Sequence, residues 1–160
     1  MEIEIKKTTN YQCEYTVTRE DKSVEIITLE TKTYLVHDIC HYAVEKNLKY
    51  SKGFWGMLSK GHSFNELFGK DNPMTTELRF IEQIVGPVQS SYLGYIPKQD
   101  FEQFVKHLNF TMPESVLNSC LTEIESILKN WTQLSTGQQL RLKWELQTEN
   151  EKYNEPLTGV

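Results

Sequence analysis

Long apolar runs are missing from this 160-residue sequence. Nothing in it approaches the roughly 20 consecutive apolar residues that carry a helix across a bilayer. A basic start is missing too: the chain opens MEIEIKK, with acidic side chains where a signal peptide needs a positive region followed by an apolar stretch. Cysteine is scarce. Cys13, Cys40 and Cys120 are odd in number, far apart and set among apolar neighbours, which argues against a disulfide framework or a paired-cysteine metal knuckle and fits small buried hydrophobes. Positive charge is not in excess. The 17 Lys and Arg against 22 Asp and Glu leave a net charge of −5, a balance that opposes general binding to nucleic acid or anionic lipid. These absences predict a cytoplasmic protein with no nucleic-acid and no membrane partner. Several catalytic signatures are absent as well: no G-x-S-x-G elbow, no phosphate-cradling G-x-x-x-x-G-K-[ST] and no G-x-G-x-x-G occur.

What is present suits a packed core, with 38% hydrophobic and 11% aromatic residues, well away from the composition of disordered chains. Ile3 and Ile5 alternate with glutamates, and Tyr11, Cys13, Tyr15 and Val17 alternate with polar residues. Val24 to Leu29 form a third β-rich run, and Asn10 and the Glu20–Ser23 cluster supply the turns of an antiparallel meander. Leu35, Ile39, Tyr42, Ala43, Val44 and Leu48 recur at helical spacing and predict a helix over 36–48. Further helices are expected over 75–86, ended or kinked by Pro87, and over 98–108, with Phe101, Phe104, Val105 and Leu108 on one face. The clearest helix begins near Thr111, which has capping-box spacing to Glu114, and carries Leu117, Cys120, Leu121, Ile124, Leu128 and Trp131 as a stripe. After the Ser135–Gly137 turn, residues 138–146 alternate strictly. They predict a strand burying Leu140, Leu142, Trp144 and Leu146 that returns to the N-terminal sheet. The expected fold class is α+β: an antiparallel sheet of about four strands, three N-terminal and one C-terminal, packed against helices. One domain spans 1–147, and a polar tail covers 148–160.

The most specific feature is His37-Asp38-Ile39-Cys40-His41, followed by Glu45. On a helix, positions 37 and 41 lie one turn apart on one face, so two imidazoles can reach one divalent metal such as zinc, as in the H-E-x-x-H helices of zinc hydrolases. Asp38 stands where that motif places its catalytic carboxylate, one methylene shorter. Glu45 lies about 12 Å along the axis from His37, too far to join the same ion, and is placed to orient His41 instead. His62, Glu66, Glu77 and Glu82 are the unranked sources of a third ligand. The competing interpretation makes Asp38 an ordinary first-turn acid and His41–Glu45 an ordinary one-turn surface or boundary pair. Gly53-Phe54-Trp55-Gly56, with Gly61 beyond, reads either as a ligand-lining turn walled by Trp55 or as a close backbone approach with both rings in the core.

Thr18-Arg19-Glu20-Asp21, Leu35 to Glu45, Gly53-Phe54-Trp55-Gly56 with Gly61, and the closing Trp131, Gly137, Leu140, Leu142 and Trp144 resemble a family of small uncharacterised bacterial proteins. That family carries a strand ending in an Arg-x-Asp-Gly hairpin, a Pro-His-Asp-x-x-His-x-x-Val-Glu helix and a Gly-x-Trp-Gly loop. Val36 replaces the family's proline and Lys22 its hairpin glycine. The resemblance implies the architecture and centres the site on residues 35–61; it implies no activity. Three functions stay open: a metal-assisted hydrolase or related enzyme using His37 and His41, a non-catalytic binding module on the same helix and loop, or a structural or regulatory protein in which these residues form a hydrogen-bonded cluster.

Overall fold

Alternation in the first thirty residues builds three strands: β1 (Glu2–Lys7), β2 (Gln12–Thr18) and β3 (Val24–Glu30). The computed structural model describes residues 1–68 and 74–145. Ile3, Ile5, Cys13, Tyr15 and Val17 form a wholly buried inner row, and the intervening polar residues face outward. The fourth strand, β4 (Gln139–Lys143), pairs antiparallel with β1, setting Leu142 opposite Ile3 and Leu140 opposite Ile5. The sheet order is β3-β2-β1-β4, so the C-terminal strand forms the edge opposite β3 and pairs with the first strand of the chain, and the fold is α+β. Trp144 follows β4 with its ring buried, and its carbonyl accepts from the Met1 amino group at 2.8 Å. Leu140 is buried as expected and Leu142 is half-buried. Leu146, the expected domain boundary at 147 and the expected tail 148–160 lie outside the described residues.

The edge strand β3 hides Glu25, Ile27 and Leu29 more than Val24 and Ile26, which are 57% and 59% exposed. Glu25 turns inward because the buried Arg19 guanidinium binds it at 2.8 Å. The β2–β3 turn places Lys22 at φ 70°, in the left-handed region, where glycine is the usual occupant. Asp21 stabilises it by accepting from the backbone N–H and hydroxyl of Ser23 at 2.9 and 2.6 Å.

A single wide turn, Thr31–Leu35, delivers the chain into α1 (Val36–Leu48), which runs through the centre of the molecule. Every residue from Asp38 to Glu45 is buried, so its polar members must find partners inside the protein. Two long helices, α4 (Thr76–Tyr92) and α6 (Glu114–Gln133), flank α1, and two short ones, α2 (Phe54–Ser59) and α3 (Phe64–Phe68), fill the space toward the sheet. A further turn of helix, α5 (Phe101–Val105), sits between 3-10 turns. All three cysteines are buried free thiols. Among the described residues no helix is long and apolar enough to cross a membrane.

Three local expectations are corrected. Pro87 does not end α4, which continues to Tyr92. The preceding residue is Gly86, which has no Cβ for the proline ring to crowd, and buried Ile84, Val85 and Val88 pack on both sides of Pro87. Phe104 is 47% exposed while Phe101, Val105 and Leu108 are buried; it lies at the margin of the stripe, in a segment broken into three short turns. The Thr111–Glu114 capping box does not form, and α6 begins after Pro113 with no side-chain cap. The box would require Met112 to be helical immediately before a proline, a position that disfavours the α region, and Met112 is buried in the core instead.

Candidate metal centre

His37 and His41 lie on the face of α1 that meets α4, and their Nε2 atoms approach to 3.2 Å. Glu82, from the middle of α4, completes a triangle: its Oε1 is 3.0 Å from His41 Nε2 and its Oε2 is 3.4 Å from His37 Nε2. One ligand atom from each of the three residues lies within 4.8 Å of the others. The far side of each imidazole is fixed by an acceptor. His41 Nδ1 sits 3.0 Å from Glu45 Oε1, and His37 Nδ1 sits 2.9 Å from Gln89 Oε1. Those partners place the neutral-ring protons on Nδ1, so both Nε2 lone pairs point at the carboxylate and at each other.

Glu45 is itself held from behind. Its side chain is fully buried, and its carboxylate accepts from the backbone N–H groups of Phe54, Trp55 and Gly56 at 2.7, 3.0 and 3.2 Å. The first turn of α2 thus delivers its unpaired amides to one carboxylate. The two glycines make this approach feasible: a Cβ on Gly53 would overlap the Glu45 carboxyl group, and one on Gly56 would overlap the Ser51 backbone. The Gly-Phe-Trp-Gly segment is therefore a close-approach device and the N-terminus of a helix. Trp55 is wholly buried and donates its ring N–H to the Asp38 carbonyl at 2.9 Å, locking α2 to α1.

Electrostatics follow the same wiring. Burial opposes a charge on His41, but the Glu45 and Glu82 carboxylates on either side outweigh it and hold its pKa at about 10. The Glu82 hydrogen bond also raises His37, against burial and the neighbouring ring. Burial would raise Glu82, yet the two imidazoles hold it well below the usual carboxylate range. Asp38 makes no hydrogen bond to either histidine. Burial pushes its carboxyl up to about 7, and its Oδ2 has no hydrogen-bond partner.

A cavity of about 340 Å³ opens onto the cluster. Asp38, His37, His41 and Glu82 contribute its polar end, and Tyr34, Phe54, Phe68, Met74 and Leu78 are among its walls. Phe54 lines this space, whereas Trp55 belongs to the core. Among the four residues considered for a third ligand, Glu82 joins the cluster. Glu66 lines the cavity without joining, His62 sits 3.5 Å from Glu66, and the Glu77 carbonyl accepts from the Tyr50 hydroxyl. Gln89 and the apolar walls were not anticipated from the sequence. Glu82 and Gln89 are seven residues apart, two turns on one face of a helix, and that spacing is the signal that could have paired them. A larger groove of about 850 Å³ between α6 and β4, lined by Lys46, Glu123 and Arg141 among others, contains no such cluster among the described residues.

The fold and site define an α+β protein with a two-histidine, one-carboxylate cluster at the base of a cavity. Comparison with protein-family models, curated proteins and solved structures returns no match.

Proposed function

We propose that this protein binds a divalent metal ion, zinc by preference, through His37 Nε2, His41 Nε2 and the Glu82 carboxylate, and uses it in metal-assisted hydrolysis. The observation that carries this reading is the triangle of 3.2, 3.0 and 3.4 Å between the three ligand groups. A tetrahedral ion with bonds of about 2.0–2.1 Å has edges of about 3.3 Å between its ligands. One proton cannot satisfy all three contacts at once, because His41 has a single Nε2 site to share between two acceptors. Protonating both Nε2 atoms would set two donors against each other at 3.2 Å. One cation satisfies all three together.

Three protein ligands with an open face toward a cavity is the arrangement of catalytic rather than structural zinc. Glu45 and Gln89 then act on the rings from behind, fixing the tautomer and raising ligand basicity. Asp38, at the polar end of the cavity, is the group positioned to exchange a proton with a substrate. In this reading the His-Asp-x-x-His helix and the Gly-x-Trp-Gly segment, which resemble those of the small bacterial family, are the ligand helix and the anchor of its supporting carboxylate. A second reading has its own support: the Glu45 bonds to α2 tie the core together with or without an ion, as a non-catalytic cluster would.

Elemental analysis of tag-free protein purified from metal-replete medium separates the two. The metal reading expects stoichiometric zinc that is lost in His41→Ala and Glu82→Ala and retained in His62→Ala. Folded wild-type protein that binds no divalent ion below micromolar concentration leaves the structural cluster as the explanation.

A further inference from the structure

Resting on the metal reading, we infer that the cavity takes an uncharged molecule carrying a single aryl or branched alkyl group beside its metal-binding atom, and turns away anions such as phosphate. The walls are apolar and aromatic. Phe54 and Phe68 have ring centroids 5.1 Å apart, and Tyr34 meets Phe68 edge-on at 5.6 Å. A guest ring extends such a cluster in the tilted and edge-to-face geometries aromatic pairs prefer. The volume of about 340 Å³ lies at the small end of the roughly 300–1,000 Å³ range of ligand cavities, which suits one ring with its substituent and not a nucleotide or an oligosaccharide.

Charge points the same way. Among the described lining residues the ionisable groups are Tyr34, His37, Asp38, His41, Glu66 and Glu82, with no Lys or Arg. The two positive charges of an ion at the cluster are matched by Glu82 beside it and Glu45 behind His41. The buried Arg19 is committed elsewhere: its guanidinium donates to the Leu58 and His62 carbonyls at 2.6 and 2.8 Å and pairs with Glu25. An incoming anion would leave water to meet an ion whose charge is already matched and acidic walls with no basic side chain among the described lining residues.

The test uses the full chain loaded with cobalt(II), whose visible bands report a new ligand at the ion. Imidazole and 4-phenylimidazole present the same neutral donor and differ by one ring. 4-Phenylimidazole should shift the bands at a concentration roughly 10- to 100-fold lower than imidazole, the range expected for burying a ring, and millimolar phosphate should leave them unchanged. Phe68→Ala should shrink the preference for the aryl ligand. Met74→Lys, at a 46% exposed position on the wall, should bring phosphate binding into range. Equal binding of the two imidazoles, or phosphate binding to the wild type as tightly as 4-phenylimidazole, overturns the inference while the cobalt spectrum keeps the metal reading intact. A protein that gives no cobalt bands at all removes the metal reading, and this inference with it.

Discussion

Glu45 and His41 form a pair with almost no solvent contact: their side chains are 0% and 2% exposed, and Oε1 lies 3.0 Å from Nδ1. The pair at once receives the first amides of α2 and anchors the His41 ring from behind. Glu45→Gln keeps the shape but turns an amide N–H toward His41 Nδ1 in one of its orientations, driving the ring proton to Nε2. Zinc affinity, measured by competition with a chromophoric chelator, should fall about 10- to 100-fold. Glu45→Ala leaves the α2 amides and His41 without their acceptor and should cost about 3–5 kcal/mol of stability in urea denaturation.

Gly53→Ala reaches the same carboxylate from the other side, since its Cβ would overlap the Glu45 carboxyl group. Overpacking of this kind costs about 1–3 kcal/mol. The substitution should also weaken zinc binding, because displacing Glu45 releases the imidazole. Gly61→Ala has open space around the new atom but a φ of 105°, so it should lower the melting temperature and leave zinc binding unchanged.

Trp55→Ala removes a wholly buried ring and the bond from its N–H to the Asp38 carbonyl. The expected loss is about 3–5 kcal/mol. Because Trp55 does not line the cavity, protein that remains folded at low temperature should bind 4-phenylimidazole with its wild-type preference. A selective loss of that preference with unchanged melting would place Trp55 in the pocket instead.

The metal-free protein should lose stability as pH rises. Asp38 keeps its proton in the folded state up to about 7 against an ordinary value of 3.8, and His41 up to about 10 against 6.5. Both groups therefore bind more protons folded than unfolded within those windows, so their contributions are present at the low end and disappear through pH 7 and pH 10 respectively. Glu82 has the opposite sign, being held low, and its contribution is lost only as pH falls below the usual carboxylate range. Zinc competes with the imidazole protons, so the stabilisation it adds should grow with pH. Thermal melts from about pH 6 to about pH 10, with and without zinc, should show the two curves diverging.

Much of the architecture was legible because it rests on periodicity. Strict alternation in β1, β2 and β4 and the 3.6-residue stripe of α6 record which face is buried, while the helical spacing in α1 announced a helix that proves buried on all sides from Asp38 to Glu45. Where two patterns were equally apolar, as for Val24 and Ile26 against Ile27 and Leu29, the phase follows from pairing that sets Ile27 beside Tyr15 and Leu29 beside Cys13, with Glu25 turned toward Arg19, and those are tertiary facts. The same division holds at the site. His37, His41 and Glu45 share one helix, so their relation follows from helical geometry. Glu82 and Gln89 come from a helix beginning forty residues later, and local pattern could not choose Glu82 over Glu66 or Glu77. Gly53 and Gly56 announced a close approach without naming what approaches.

The shared carboxylate divides the molecule into positions that can drift and positions that cannot. A change at 45, 53 or 56 alters folding and the setting of the His41 imidazole together, so neither property can be tuned there alone. Tyr34, Phe68, Met74 and Leu78 touch the cavity but not the Glu45 bonds. On the proposed function, a new ligand preference would be acquired through those four walls, and most freely at the exposed Met74, since Tyr34 and Phe68 also pack against the core.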